Sequence, residues 1–566
     1  MRRLLFLGFA IPLWVFSVPT LAQMNSEGDP KPSLEVQGAG NKLSSSFDAK
    51  LLPPGPSPGG QSPKHELSIE SFAAMASSGI TMTTTFEGFG FDDNRTETGF
   101  LFIPPDPMGA AGRDRVVAVV NTMIEARDKE GTLLWRDSLR DFFAPLSPTT
   151  PTFDPKIVYD HYADRFVVVT LEVVLGSTTA PTNPGNVSRI LLAVSKRHNP
   201  ATPTAAHWYY HAIDAKTTIT FNAPGPTPFD TWADYPGFEL DEEAVYVTAN
   251  MFTHFGGGAG YGGVRLWIVH KAGFYSGGAA VATKHDPYAG GGIATTTMPA
   301  LVFGDKHGDP GAGPGIGTYL VSYSGLSDGV DEYVQVVRVD NPTTAPTFTQ
   351  EFVLLGNIET SFPALPDAPQ PFETGCTAPI EVNDRRALDA VWRDGSLWMV
   401  MTIRPNSGPD VNQTTAYWVR LDTSAVPGPI TTADQGGIGG EDIAPGTFTY
   451  YPSVMVNRKG SAGFGFSASA PTVFAGAYAT GRGSAALPGT VEPSALIKAG
   501  EACYFRMFSG TRNRWGDYSG IALDPADDKF FWAFNEFADT RGTPTNAGTQ
   551  DGRWGTAWGK FKVADD

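Results

Sequence analysis

One short sequence pattern occurs in two similar copies in this chain, more than 350 positions apart. Residues 154–169 run DPKIVYDHYADRFVVV and residues 517–532 run DYSGIALDPADDKFFW, so each has a polar start, an apolar strand, an acidic turn and a second apolar strand. Internal similarity at spacings of tens of residues indicates a repeat architecture, and strand–turn–strand units of this size are typical of β-propeller blades. This repeat constrains the fold more than any other feature.

The same sequence pattern recurs in less similar copies along the chain. Together with the copies at 154 and 517, weaker copies give seven units roughly 50 to 90 residues apart, starting at Pro105, Asp234, Pro299, Ala387 and Tyr451. Gly and Pro separate short β-branched and aromatic runs with hardly any helical periodicity. The sequence therefore predicts an all-β fold, a single seven-bladed β-propeller over residues 81–566, closed by pairing of 81–89 with 555–563. The alternative is two β domains divided within the glycine-rich region 273–317.

The N-terminal 80 residues differ in composition from the rest of the chain. Two arginines, an apolar run over residues 4–18 and the small-residue sequence Thr20-Leu21-Ala22 predict a secretory signal over residues 1–22. The apolar run is short for a membrane span, and an uncleaved anchor is the alternative. Residues 23–80 are rich in Ser, Pro and Gly, which predicts a flexible, disordered linker. We expect a secreted protein, periplasmic or extracellular, whose mature chain has no membrane span.

The chain is acidic, with 41 basic and 59 acidic residues and a net charge of −18. A field of this sign repels phosphate backbones and anionic lipid, which argues against a nucleic-acid partner. It is compatible with neutral glycans, cationic ligands or bound Ca²⁺. The alternative is that the charge only keeps an exported protein in solution.

The only two cysteines are Cys376 and Cys503. A pair of cysteines in a secreted chain tends to be joined, so we expect a disulfide between them. The sequence contains no CxxC, CxxCH or Cys/His zinc spacing. This argues against redox catalysis, haem attachment and a structural zinc site.

Several motifs of the repeat occur together and in order. They are PPDPMGAAG followed by VVAVVNT, DPKIVYDHYADRF, RILLAVSK, DYPGFELDEEAVYVTAN, DRRALDAVWRDGSLW and RWGDYSGIALDP. In this combination the chain resembles, over residues 85–565, a broad group of exported bacterial β-propeller proteins. Most members of that group have no assigned activity. The resemblance implies the fold and export, but it implies no mechanism and no catalytic residues.

Polar and aromatic residues stand at the start of the innermost strand of several predicted blades. Because these strands line the central channel of a propeller, the residues just before them gather at one mouth of the channel. We expect a ligand site there, formed by Asp106, Asp154, Trp232, Asp234, Tyr235, Tyr451, Trp515 and Asp517. The alternative is that each Asp accepts backbone N–H bonds and shapes the start of its own blade, and the repetition favours this structural role.

Carboxylates that converge on one axis repel one another unless a cation or water intervenes, and Ca²⁺ prefers oxygen ligands. The candidates for a calcium site are Asp154, Asp234 and Asp517. The acids of the tight turns are different, because a hairpin uses Asp to bond its own backbone. We expect that role for Asp160, Asp164, Asp524 and Asp527.

Two functions from different classes stay open. The first is a module that binds an extracellular polymer, carbohydrate above all, at the channel mouth; abundant aromatic residues favour it. It is also favoured because the sequence has no sialidase-type Ser-x-Asp-x-Gly-x-Thr-Trp box and no G-x-S-x-G nucleophile elbow. The second is a carbohydrate-active enzyme, a glycoside hydrolase or polysaccharide lyase, at the same mouth. A lyase needs a base and a cation, for which the candidates are His161, Tyr518 and Arg514.

Overall fold

In a computed structural model of the chain, seven β-sheets stand in a ring as the blades of one β-propeller. The structure describes residues 79–564, except 175, 177–179, 222–225, 255–259, 305–315, 361–363, 509–511 and 543–549. The predicted signal and nearly all of the predicted linker lie outside the described residues. The prediction of a single seven-bladed propeller is confirmed, and the alternative of two β domains is wrong.

Each of blades 1 to 4 is built around four antiparallel strands in chain order. Blade 1 contains Met108–Ala111, Arg115–Val120, Met123–Asp128 and Leu133–Ser138. Blade 2 contains Phe153–Asp160, Arg165–Val174, Val187–Ser195 and Trp208–Asp214. Blade 3 contains Thr227–Leu240, Ala244–Thr253, Tyr261–His270 and Ala282–His285, with Thr217–Phe221 added beside the first of them. Blade 4 contains Met298–Pro299, Ile316–Ser322, Glu332–Asp340 and Thr347–Gly356.

Blades 5 to 7 follow the same plan. Blade 5 contains Ala387–Arg393, Ser396–Ile403, Thr415–Asp422 and Thr431–Ile438, with Leu301–Phe303 parallel to the first of them. Blade 6 contains Phe448–Val456, Ala462–Ala470, Val473–Arg482 and Ala495–Lys498. Blade 7 contains Gly520–Leu523, Phe531–Asp539, Arg553–Val563 and Ile80–Gly90. A small ribbon pairs Met507–Phe508 with Arg512–Asn513, and the helices are Phe91–Thr98, Leu139–Phe142, Lys271–Phe274 and the 3₁₀ turn Ala144–Leu146.

The ring closes through a strand from the N-terminal side of the propeller. Ile80–Gly90 pairs antiparallel with Arg553–Val563, so that Ile80 lies opposite Val563 and Phe86 opposite Trp558. The innermost strands of neighbouring blades contact one another around the whole ring. The last blade is therefore built from both ends of the described chain, as the strand composition at 81–89 predicted.

Several innermost strands share a backbone feature that explains part of the repeated sequence pattern. Asp106, Asp154, Tyr235 and Tyr451 have φ angles between 47° and 50°, and each stands directly before a proline. In blades 2, 3 and 6 a register shift of the first strand pair falls at this point. Such a bulge bends a strand, and Asp is one of the residues that tolerate the left-handed conformation best. The repetition is thus partly a backbone requirement of the blade start.

Three of the four predicted turn acids at the other end of the innermost strands, Asp160, Asp524 and Asp527, bond the backbone of their own turns, whereas the Asp164 carboxylate pairs with Arg113. The Asp160 carboxylate accepts hydrogen bonds from the backbone N–H groups of Tyr162, at 2.9 Å, and Ala163, at 3.1 Å. Asp527 likewise accepts from the N–H group of Lys529 at 3.0 Å. Bonds of this kind hold the chain in a tight turn, so these carboxylates are turn formers.

Aromatic side chains fill the spaces within and between the blades. Every tryptophan in the part of the chain that the structure describes is at most 8 % exposed. The rings of Trp532 and Trp558, for example, pack edge to face with centroids 6.0 Å apart. Buried aromatic pairs of this geometry stabilise cores. The abundance of aromatic residues therefore reflects packing, and it is a weaker argument for sugar binding than the sequence suggested.

Within the described residues, no helix combines the length and the apolar character needed to cross a membrane.

Candidate functional site on the propeller axis

The two faces of the propeller differ because of how the chain connects its strands. Each innermost strand is reached by a connection from the preceding blade, on what we call the start face, and ends at the opposite, turn face. Two connections at the start face are long, residues 357–386 before blade 5 and residues 499–519 before blade 7. The turns on the turn face are tight in the other blades, as between Asp160 and Arg165, whereas blade 4 has the connection 304–315 there, of which the structure describes only Gly304. Among the described residues, one end of the axis is therefore covered and the other is open.

The predicted ligand residues of the start face are all buried, and several of them form a hydrogen-bonded network, whereas Trp232 packs against Phe153 and Phe252. Each is at most 3 % exposed: Asp106, Asp154, Trp232, Asp234, Tyr235, Tyr451, Trp515 and Asp517. Asp106 accepts hydrogen bonds from the Asn121 side-chain amide, at 2.6 Å, and from the backbone N–H group of Asp517, at 2.8 Å. Asn121 accepts in turn from the N–H group of Asp154 at 2.8 Å, and the Asp154 carboxylate accepts from that of Tyr235 at 3.1 Å. These bonds link blades 1, 2, 3 and 7 around the axis.

An arginine balances part of the negative charge in this network. Arg514 forms an ion pair with Asp517 and donates to the Gly516 carbonyl oxygen at 2.7 Å. Burial alone would raise the pKa of Asp517, but the neighbouring Arg514 brings it below its usual value. Burial, together with the charge of Asp517, raises the pKa of Asp106 well above its usual value. The network thus contains two carboxyl groups whose proton affinities are driven apart.

The rest of the two long connections forms a cover over this network, to which the second connection also contributes Arg514 and Asp517, and a disulfide joins the two connections. Cys376 is bonded to Cys503, which confirms the predicted pair. Beside the disulfide, the Gln370 side chain exchanges two hydrogen bonds of 2.8 Å with the backbone of Tyr504. Asn383, at the end of the first connection, donates to the Asp517 carboxylate at 2.8 Å. The cover is therefore bonded both to itself and to the network beneath it.

The ligand-binding and calcium roles of the start-face residues stay predictions. In the described ranges, no group of three or more His, Cys, Asp and Glu side chains is arranged to hold a metal ion. Asp106, Asp154 and Asp517 form hydrogen bonds or ion pairs with backbone N–H groups and with the side chains of Asn121, Asn383 and Arg514. These bonds fit the structural role that the repetition of the motif favoured.

At the opposite end, a cavity of about 250 Å³ lies on the axis and opens at the turn face. Blades 1, 2, 3, 5, 6 and 7 contribute to its lining, and its apolar wall includes Ile157, Leu301, Met455 and Ile521. Its rim carries an ion pair between Arg113 and Asp164, whose side chains are 58 % and 34 % exposed. A second rim pair joins Arg393 to Asp528 at 2.6 Å. The exposed rim connects the cavity with solvent.

Two carboxyl groups stand at the floor of this cavity. Glu239 and Asp389 line both the cavity and a smaller space of about 10 Å³ deeper on the axis, which Lys156 also lines. Asp389 accepts hydrogen bonds from the backbone N–H groups of Ala390, at 2.9 Å, and Val454, at 3.0 Å. Burial nevertheless raises the pKa of Asp389 to about 6. Burial also raises the pKa of Glu239 well above its usual value, with a contribution from the charge of Asp389.

Lys156 separates the cavity floor from the start-face network. Its ammonium nitrogen lies 4.4 Å from the centre of the Tyr518 ring and 5.9 Å from that of Tyr235. These distances are typical of cation–π contacts. Burial lowers the pKa of Lys156, while Asp389 and Glu239 oppose that shift. The lysine is thus held mainly by aromatic faces on the start side of the axis.

Of the three candidate catalytic residues, His161 is the one that lines the cavity. Its ring stacks on Phe303 with the centroids 4.3 Å apart, and neither ring nitrogen has a hydrogen-bond partner among the described residues. Burial lowers its pKa to about 4, so the ring is neutral at neutral pH. Arg514 and Tyr518 lie in the start-face network, where the Tyr518 hydroxyl donates to the Pro155 carbonyl oxygen at 3.2 Å. The structure does not bring the three together, and their catalytic roles stay predictions.

Sequence reasoning missed Glu239 and Asp389. Each is an acid with an apolar residue on both sides within a strand, in Phe238-Glu239-Leu240 and Leu388-Asp389-Ala390. Acids are rarely buried unless they are paired or have a function, so this pattern is the signal that would have found them.

Comparisons with known proteins show no family for this chain. No protein-family model and no curated protein matches the chain. A solved structure of unknown function from Dyadobacter fermentans is 8 % identical, with a TM-score of 0.37, over 86 % of this chain and 100 % of that one. A Hadza microbial sialidase is 10 % identical, with a TM-score of 0.34, over 78 % and 75 %. Trypanosoma rangeli sialidase with the inhibitor DANA is 8 % identical, with a TM-score of 0.31, over 77 % and 57 %. Likenesses this weak carry no argument about function.

Proposed function

We propose that this protein is an exported binding module that takes the terminal unit of an extracellular glycan into the axial cavity of the turn face. The observation that carries the proposal is the cavity itself, about 250 Å³ in volume, lined by six of the seven blades and open at an exposed rim. Ligand pockets typically measure roughly 300–1,000 Å³. This cavity lies just below that range, so it suits one sugar-sized unit better than an internal segment of a polymer.

The lining has the mixed chemistry that a sugar unit requires. Leu301 and Ile521 offer apolar surface to the C–H faces of the ring. Glu239 and Asp389 offer oxygen atoms to hydroxyl groups, and a protonated carboxyl group can also donate. Because backbone N–H groups already hold Asp389, little conformational entropy is lost when a ligand binds it.

The proposal moves the site from the mouth that the sequence predicted to the other end of the axis. The start-face residues lie beneath the disulfide-bonded cover, whereas the rim of the turn face is exposed. Export is proposed from the N-terminal sequence, and a disulfide is compatible with it.

The test is a titration of the mature chain with neutral, acidic and amino-containing oligosaccharides and polysaccharides. Calorimetry measures binding, and the length of the polymer is measured before and after incubation. We expect binding to short oligosaccharides, because only an end unit enters the cavity. Leu301→Trp and Ile521→Trp place a large ring in the cavity and should each abolish binding. Leu496→Trp is the control, because Leu496 is 50 % exposed on the outer strand of blade 6. Unchanged binding by both cavity variants, or no binding of any saccharide by the unaltered chain, would contradict the proposal.

The pair of carboxyl groups on the floor favours a second candidate, a glycoside hydrolase at the same cavity. Such enzymes use two carboxyl groups, one of which protonates the leaving group. Asp389, with a pKa raised to about 6, has the proton affinity that a general acid needs near neutral pH. Shortened glycan chains in the same titration, lost in Asp389→Asn while binding persists, would identify a hydrolase. A lyase is less well supported, since His161 and Arg514 lie at opposite ends of the axis.

A further inference from the structure

One buried oxygen atom at the cavity floor has an unmet bonding requirement. Glu239 Oε2 is inaccessible to solvent and has no hydrogen-bond donor among the described residues. A buried acceptor without a donor costs free energy, and native proteins contain few of them. Glu239 as a whole is partly exposed and lines the axial cavity, so a donor can approach its carboxyl group from the cavity side.

Lys156 does not meet this requirement. Its ammonium group faces the Tyr518 ring at 4.4 Å and approaches the sulfur atom of Met298 at 3.8 Å, both on the side away from the cavity opening. Glu239 lines the space between the lysine and the cavity, yet its Oε2 atom receives no hydrogen bond from Lys156. Lys156 therefore does not supply the hydrogen-bond donor that Glu239 Oε2 lacks.

The floor of the cavity carries two carboxyl groups, Glu239 and Asp389, and one cation, Lys156. The carboxyl groups whose charges act on Lys156 come from three blades and from the connection before blade 1, and they are Asp389, Glu239, Asp154 and Asp106. At the rim, by contrast, Arg113 is paired with Asp164 and Arg393 with Asp528. The carboxyl groups of the cavity that lack an arginine partner thus lie at its floor, where a bound cation would favour their ionised forms.

We infer that the group bound at the floor of the axial cavity is a protonated amine, carried by the sugar unit that the cavity takes. This inference rests on the proposed function and specifies its ligand as a glycan with unacetylated amino sugars. An ammonium group brings three N–H donors and one positive charge, so it can bond Glu239 and the backbone-held Asp389 together. A hydroxyl group would bring one donor and no charge, and a uronic acid would be repelled by both carboxylates.

The experiment compares three oligosaccharides of equal length and linkage, built from glucosamine, N-acetylglucosamine or glucose. Calorimetric titration of the mature chain should give an affinity for the glucosamine oligomer at least tenfold above that for either neutral oligomer. Because a charge pair is involved, the preference should shrink as the salt concentration rises. Glu239→Gln keeps the shape of the side chain and removes its charge, so it should abolish the preference while neutral oligomers still bind. Glu130→Gln is the matched control, since Glu130 is exposed in a turn of blade 1.

The outcomes separate this inference from the proposed function. Equal affinity for the charged and neutral oligomers, or an unaltered preference in a folded Glu239→Gln variant, would overturn the inference and leave glycan binding in place. Binding of a simple alkyl diamine, lost in Glu239→Gln, with no saccharide bound, would support the amine site and overturn the glycan. Binding of none of these compounds would overturn both. Circular dichroism of Glu239→Gln verifies that the variant is folded.

Discussion

The two ends of the propeller axis carry the same kinds of side chain in opposite settings. At the start face the ion pair between Arg514 and Asp517 is buried, with side-chain exposures of 1 % and 4 %. At the turn face the ion pair between Arg113 and Asp164 stands in solvent, with exposures of 58 % and 34 %. The first ion pair lies at the start face, where a disulfide joins the two long connections. The second lies on the rim of the axial cavity. Residue type alone therefore does not reveal which cluster of charges is structural and which can meet a ligand.

The largest expected effect comes from removing the cation of the buried pair. Arg514→Met leaves Asp517 and Asp106 buried without their compensating charge, which should cost about 3–5 kcal/mol in the free energy of unfolding. Urea unfolding measures this loss. The matched change at the open end, Arg113→Met, should cost at most about 1 kcal/mol, because solvent screens an exposed pair. Equal losses in the two variants would erase the distinction between the two faces.

The next effect concerns the cover of the start face. Cys376 and Cys503 are 127 positions apart, so the disulfide restricts a long loop of the unfolded chain. Replacing both by alanine should lower the free energy of unfolding by about 2–4 kcal/mol. Affinity at the axial cavity should not change, because the cavity opens at the other face. A weakened ligand affinity in the double variant would show that the two ends are coupled.

The smallest effect sharpens the description of the turn face and depends on pH. Burial lowers the pKa of His161 to about 4, whereas an unfolded histidine has a pKa of about 6.5. The native state thus binds fewer protons, so this contribution to stability is complete above pH 6.5 and is lost as the pH falls towards 4. The loss is at most about 3 kcal/mol. His161→Phe keeps the stacking on Phe303 and removes the titration.

Unfolding curves at pH 7, 5 and 4 test this prediction. The stability of His161→Phe relative to the unaltered chain should rise steadily as the pH falls through that window and stay constant above it. A difference that does not depend on pH would show that the imidazole is not held neutral by burial.

Much of the fold could be predicted because short stretches of the sequence determine where strands and turns form. The starts of the innermost strands follow from a sequence pattern that recurs from blade to blade, because several blades use the same bulge, apolar strand and tight turn. The closing strand could be placed because residues 81–89 have strand composition and a propeller needs a partner for its last blade. The disulfide followed from there being two cysteines in a chain with a predicted export signal.

The candidate site could not be predicted in the same way. The cover depends on contacts between residues far apart in sequence, such as Gln370 with Tyr504, and neither connection has a regular period. Glu239 and Asp389 lie on blades 3 and 5 and meet only because the ring brings both strands to the axis. No spacing in the chain relates them.

The sequence by itself determined the repeating unit, the number of blades and the pairing that closes the ring, because strands and turns depend on neighbouring residues. Only the tertiary structure decided which end of the axis is covered and which is open. Burial is the physical reason: a carboxylate in solvent and one beneath a cover have the same chemistry in the sequence, but water screens one of them and only the surrounding protein can compensate the other.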